Sequence, residues 1–223
     1  MAKFIRHEGC PKCGSSDSLA IYDDAGAHCF SASCNYHKHG DDDDMELTIA
    51  ATAKPSRLSM GGVVAAIPQR RLSQDTCQRY GVTVEYSTTG EIIRHHYPYY
   101  NLSTNEVASA KVREVKTKNF HTSGDTTGVG FFGQHQCKTN KYITVCEGEL
   151  DAMAVYEMSG KQWDVVSLRS GASSAAKEVK QQLEWLESYG TVVLCFDNDK
   201  AGEAAVDAVK DLFSPNKLKV IKL

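Results

Sequence analysis

The chain has 223 residues, 41% of them hydrophobic, with 25 Lys and Arg against 28 Asp and Glu, a composition that excludes a disordered tail, a collagen and a coiled coil. No apolar run approaches the ~18 residues of a membrane span, and residues 1–7 lack the apolar stretch of a secretory leader, so neither a membrane nor secretion is expected. Charge is segregated: residues 1–53 carry 4 basic and 9 acidic side chains, residues 54–118 carry 10 and 5, and residues 139–223 carry 10 and 13. A basic middle between acidic ends suits a polyanion held beside a carboxylate-rich centre, and a solvated basic face is the competing reading.

Residues 1–40 are too few and too polar to close a hydrophobic core, so they need a staple. Cys10-Pro11-Lys12-Cys13 is a C-x₂-C knuckle and Cys29 to Cys34 a C-x₄-C pair. Four thiolates can close a tetrahedral Zn²⁺ site, and Gly14 and Gly26 fit the tight turns of a zinc ribbon. Without a secretory leader, clustered thiols point to metal rather than disulfides. His28, His37 and His39 lie close enough in sequence to be rival fourth ligands. Cys77, Cys137, Cys146 and Cys195 are scattered and read as small buried hydrophobes. Residues 41–62, opening on Asp41-Asp42-Asp43-Asp44, read as a flexible linker with a short helical turn around 45–53.

From residue 63 the pattern is globular. Residues 73–81 predict a short helix with Ser73 as N-cap and Gly81 as its stop. Strands are expected at 82–86, 92–97 and 108–115, with turns at 88–90 and 103–105, giving a basic subdomain over 63–138. Residues 139–223 then alternate: strand 142–146, helix 150–158, strand 165–168, helix 175–189, strand 191–196, helix 201–213 and strand 218–223. Such alternation predicts an α/β domain with a parallel sheet and helices packed on it.

Two acidic clusters fall where strands end and helices begin. One is Glu147-Gly148-Glu149-Leu150-Asp151; the other is Asp197-Asn198-Asp199. The carboxyl edge of a parallel sheet is where open α/β domains bind ligands. Glu147, Asp197 and Asp199 converging there would offer hard oxygens to Mg²⁺ or Mn²⁺. The competing reading makes these acids helix N-terminal partners, which suits Glu149 and Asp151 better than Glu147. A third constellation is the basic run from Lys111 to Phe120. On a strand Lys111, Arg113 and Val115 share one face, where cations could neutralise a triphosphate, and Phe120 could support a base. Alone, such a run is a solvated strand face. Arg70 and Arg71 offer a further phosphate contact or, equally, a helix surface.

In this order the motifs are recognisable. The Cys₄ ribbon, Lys111–Arg113 with Lys118-Asn119-Phe120, EGELD at 147–151, the Ser-Leu-x-x-Gly-Ala-Ser stretch at 167–173 and FDNDKAG at 196–202 resemble the primase half of the primase–helicases of short-tailed bacteriophages. The resemblance covers nearly all of residues 10–223 and implies a zinc ribbon followed by a Toprim domain. It implies a DNA primase making short RNA primers on a single-stranded DNA template from ribonucleoside triphosphates. It places the catalytic Mg²⁺ or Mn²⁺ on Glu147, Asp197 and Asp199, and catalytic lysines at Lys111 and Lys118. Arg70, Arg71, Arg113, Lys116 and His28 are the expected nucleotide and nucleic-acid contacts. A replicative helicase and a DNA polymerase are expected partners, in the cytoplasm of a bacterial host.

The chain also departs from that pattern. Residues 139–223 stop before a further acidic motif that follows the last strand in relatives, so this subdomain is expected to be truncated at its C-terminal end. C-x₄-C stands where relatives usually show C-x₂-C. The ribbon position that reads template in the family is Gly26 here, and His28 immediately precedes Cys29. No P-loop is present, so this chain holds no helicase motor. The alternatives are a non-catalytic zinc and Toprim DNA-binding protein of recombination-mediator type, or an inactive primase fragment.

Overall fold

The computed structural model describes residues 3–31, 34, 36–38, 57–138 and 141–221. The chain divides into two compact units, Met1–Lys54 and Pro55–Leu223.

The smaller unit is a four-stranded antiparallel sheet, β1 (Phe4–Glu8), β2 (Leu19–Tyr22), β3 (Ala27–Cys29) and β4 (His37–Lys38), in chain order. Its buried interior is Cys10, Leu19, Ala27 and Cys29, while Phe4 and Ile5 stay exposed. So small an apolar interior cannot offset the entropy of ordering the chain. His39, Asp41–44 and the expected turn at 45–53 lie outside the described residues. Residues 57–62, the end of the expected linker, pack on the larger unit. The Ser59 amide donates to Ser123 Oγ at 3.1 Å, and Thr83 Oγ1 donates to the Gly61 carbonyl at 2.6 Å.

The larger unit opens with α1 (Gln74–Tyr80), capped by Ser73 Oγ, which accepts from the Thr76 amide, and stopped by Gly81 at φ 71°. An antiparallel meander follows: β5 (Thr83–Tyr86), β6 (Ile92–Tyr100), β7 (Val107–Glu114) and β8 (Phe120–Gly124). Strand β8 is not legible in sequence. Its residues Phe-His-Thr-Ser-Gly carry no apolar alternation, because three of the five face solvent.

The remainder is the expected parallel sheet. Strands β9 (Tyr142–Cys146), β10 (Asp164–Ser167), β11 (Thr191–Cys195) and β12 (Leu218–Val220) are arranged 10-9-11-12, every pair parallel. The helices are α2 (Glu149–Met158), α3 (Ala175–Gln181), α4 (Leu183–Glu187) and α5 (Lys200–Lys210). The two-residue period of the strands feeds two cores. Ile143, Val145, Val166, Val192 and Leu194 pack with Val179, Leu186, Ala205 and Val209. Cys146, Val165 and Cys195 face the other way, onto Ala152, Met153 and Tyr156 and onto Tyr80, Val84, Tyr97 and Phe132. A sheet covered on both faces needs apolar residues at successive positions, which is why these strands read as near-continuous apolar runs.

The helix expected over 175–189 is two helices, broken at Gln182 (φ −111°, ψ 15°). The Gln182 side chain accepts from Gln134 Nε2 at 3.0 Å, and the apolar spacing of Val179, Leu183 and Leu186 survives the break. Helix α1 is tied to the parallel sheet by Tyr80, whose hydroxyl donates to the Val165 carbonyl at 2.8 Å. Ser73 joins it to α2, its amide donating to Glu157 Oε1 at 2.7 Å.

Two imidazoles in this unit are held neutral. Burial, reinforced by Arg113 and Arg70, pushes His95 down to about 4; burial and Arg79 do the same for His135, which stacks on Tyr100. The unfolded chain takes up these protons near pH 6.5, so it binds more protons than the native state between about pH 6.5 and 4. Stability is therefore full above that window and falls as the pH drops through it. In a His95→Gln/His135→Gln variant the fall should be shallower; an unchanged slope in urea unfolding against pH would remove these groups as its cause.

Candidate metal centre and active site

The four ribbon thiols come together. Cys10 Sγ lies 3.7 Å from Cys34 Sγ and Cys13 Sγ 3.8 Å from Cys29 Sγ, and all four sulfurs lie within 4.8 Å of one another. A tetrahedron with Zn–S bonds of about 2.3 Å has edges of about 3.8 Å, so the donor set and spacing fit zinc. Among the described residues this is the one such group of three or more His, Cys, Asp or Glu. Burial opposes ionisation of Cys10, but hydrogen bonds from the Cys13 and Lys12 amides and from the Cys29 and Cys13 thiols together lower the thiol to about 7. His28 and His37, open as rival ligands in the sequence, lie outside the thiol group. His28 instead meets the rings of Phe30 and His37 at 4.8 and 5.6 Å. Protein purified in reductant should carry about one zinc per chain. Cys10→Ser should lose that zinc and the ribbon's structure while the melting transition of residues 55–223 stays in place, by metal analysis and calorimetry. A joint loss of both units would refute their independence.

At the carboxyl edge of the parallel sheet, Cys146 and Cys195 are register partners, so Glu147 and Asp197 follow adjacent strands. Glu147 is held by two long backbone contacts, Oε1 accepting from the Ala172 amide at 3.3 Å and Oε2 from the Asp197 amide at 3.4 Å. The first depends on Gly171, whose φ of 72° with ψ of −170° is a conformation for glycine. Asp199 is the N-cap of α5, its Oδ1 accepting from the Gly202 amide at 2.8 Å. A Cβ at position 202 would sit 2.1 Å from the Asp197 carbonyl oxygen, so only glycine lets this loop close. Asp151 joins the acidic group: burial, then the charges of Asp197, Glu147 and Glu149, raise its carboxyl above the usual range.

Glu149 stands in the first turn of α2, as its reading as a helix N-terminal acid expects, and it has a further partner there. It is buried, 5% exposed, where it pairs with Lys111 Nζ and accepts from the Tyr99 hydroxyl at 2.5 Å. The signal was helical spacing, since Ala152 and Met153, three and four residues on, are core residues.

The basic residues divide. Lys111 lines a cleft of about 240 Å³ with Tyr99, Ser109, Thr122 and Arg169. Arg70, Arg113, Lys118 and His95 line a second, of about 110 Å³. Lys118 reaches it from a turn at φ 60°. Val115 lies past the end of β7 yet borders the same cleft. Arg71 and Lys116 are exposed and line neither. Arg169, which sequence reasoning passed over, belongs to the loop after β10. Its neighbour Ser170 lines the Lys111 cleft, and two residues further Ala172 holds Glu147. One loop thus borders both the basic cleft and the acidic edge.

The helix-flanked parallel sheet whose adjacent strand ends carry these carboxylates is the region that the Toprim-like family matches, residues 144–223. Over 233 aligned residues the chain is 29% identical to the DNA helicase/primase of Enterobacteria phage T3, covering 99% of this chain and 40% of that protein. It superposes on the primase fragment of the bacteriophage T7 primase–helicase with a TM-score of 0.69 at 28% identity, covering 99% of this chain and 91% of that one. It is also similar, at 30% identity and a TM-score of 0.67, to a chain in the structure of the T7 lagging-strand DNA polymerase interacting with primase domains of two gp4 subunits bound to an RNA/DNA hybrid and dTTP. That match covers 75% of this chain and 86% of the other. The chain belongs to the family of the primase halves of bacteriophage primase–helicases. It spans about two fifths of the length of the phage T3 relative.

Proposed function

We propose that the chain is a DNA primase, a template-directed RNA polymerase that makes short primers on single-stranded DNA for phage replication. The observation that carries this reading is one loop, Arg169 to Ala172, bordering both a cationic cleft and an acidic strand edge. Glu147, Asp197 and Asp199 are the proposed holders of Mg²⁺ or Mn²⁺. Their hard oxygens suit such an ion, and burial together with the negative charge of Asp197 and Glu147 raises the neighbouring Asp151 carboxyl. When bound, the ion supplies activation of a hydroxyl nucleophile and neutralisation of phosphate charge. Lys111 and Lys118 are the proposed catalytic cations, with Arg70, Arg71, Arg113 and Lys116 as nucleotide and nucleic-acid contacts. The ribbon, folded by Zn²⁺ on Cys10, Cys13, Cys29 and Cys34, docks the template, with His28 beside Phe30 as its contact surface.

A replicative helicase and a DNA polymerase are proposed partners, in keeping with the helicase named in the phage T3 relative and the polymerase in the T7 assembly. The proposed location is the bacterial host cytoplasm; among the described residues no helix is long and apolar enough to cross a membrane. The test is a denaturing gel of labelled ribonucleotides incubated with single-stranded DNA and Mg²⁺. Short RNA products lost on chelation are expected. DNA binding without product on mixed-sequence templates would favour a non-catalytic binding protein instead.

A further inference from the structure

Phe120 opens strand β8 with 53% of its surface exposed. It pairs across the sheet with Arg113, and its ring lies 5.3 Å from Lys111 Nζ and 5.6 Å from Arg113 Cζ. Those two cations line different clefts; the ring lines neither, and lies against one cation of each. In the smaller cleft Arg70, Arg113 and Lys118 converge, and none of the residues lining it is acidic. A ring flanked by cations and more than half exposed keeps open surface for a flat partner. A flat base joined to concentrated negative charge describes a nucleoside triphosphate. A single strand, with one phosphate per nucleotide, matches three cations around about 110 Å³ less well.

We propose that Phe120 is the base-stacking platform for a nucleoside triphosphate whose polyphosphate lies among Arg70, Arg113 and Lys118. The inference rests on the nucleotide-handling reading above and deepens it by giving one residue the base. Base–aromatic stacking is tolerant of base identity, so this platform contributes affinity and leaves the choice of nucleotide to the template.

The test is equilibrium binding in the full chain, without synthesis, of ATP, of inorganic tripolyphosphate and of a short oligodeoxynucleotide. Phe120→Ala should weaken ATP by about tenfold and leave tripolyphosphate unchanged. Phe120→Trp should retain ATP binding, with indole emission quenched by ATP and not by tripolyphosphate. Arg113→Ala should weaken both anions. Because Phe120 is exposed, Phe120→Ala should melt with the parent protein. Unchanged ATP binding in Phe120→Ala would overturn the proposal, as would equal weakening of tripolyphosphate. A loss confined to the oligodeoxynucleotide would overturn it too and assign the ring to the template. ATP binding that depends on Phe120 in a protein that never makes primers would sink the primase reading and leave this one standing.

Discussion

Glu147→Gln should abolish Mg²⁺-dependent primer synthesis while leaving the metal-free protein as stable as its parent, or slightly more so. The carboxylate sits beside Asp197 and close enough to Asp151 to raise that carboxyl, so removing its charge relieves repulsion. What it loses is small. Glutamine keeps the acceptor facing the Ala172 amide, and the contact it forfeits, to the Asp197 amide, is 3.4 Å long. If Glu147 instead only stabilised the start of α2, the variant would lose ~1 kcal/mol of stability and keep its activity. The N-cap itself is Gly148, which argues against that role. Thermal unfolding in chelator, run beside primer synthesis with Mg²⁺, separates the two. A destabilised but fully active protein would end the metal-site reading.

The second large effect concerns Lys111 and Glu149. Their side chains are 19% and 6% exposed, so Lys111→Ala leaves a carboxylate buried with the Tyr99 hydroxyl as its remaining donor. Breaking a buried pair on one side costs about 3 kcal/mol or more, which for a unit of this size lowers the melting temperature by roughly 10 °C. Lost activity in that variant would therefore not by itself make Lys111 catalytic. Lys111→Met/Glu149→Gln removes both charges and keeps an acceptor for Tyr99, so most of the stability should return. If primer synthesis stays lost in the double variant, the ammonium acts on substrate. If synthesis returns with stability, Lys111 serves the fold alone.

What was legible in the sequence follows from what is local. The parallel sheet announced itself because β9, β10 and β11 are covered on both faces and must be apolar at successive positions. The ribbon announced itself because its thiols come in two short-range pairs. The strand ends placed Glu147 and Asp197 on one edge, where a parallel sheet gathers its strand termini; that they follow neighbouring strands comes from the 10-9-11-12 order. The hidden parts depend on contacts across the chain. Nothing near Glu149 reveals that its partner is Lys111, 38 residues earlier. The period of two put Lys111 and Arg113 on one face, but their different clefts are set by packing from the 3₁₀ turn at Pro68–Arg70 and the loop after β10. His28 was readable as a metal ligand or a contact surface, and only the position of the four sulfurs decides against the first.

The hydroxyl of Tyr80 is bonded to a carbonyl 85 residues further along, and the core around it mixes Val84 and Tyr97 with Cys146, Met153 and Cys195. On a translating ribosome the helix and the meander emerge first, with their apolar side uncovered. At about 5–20 residues per second, the roughly 70 residues from Gly124 to Cys195 take several seconds to follow. The nascent chain therefore passes through an interval in which half a core waits for its other half, and that interval is when capture by a chaperone or by a second nascent chain competes with folding. The ribbon escapes it, because its four clustered thiols are all synthesised within the first 34 residues, so a metal ion that fits them could close it at once.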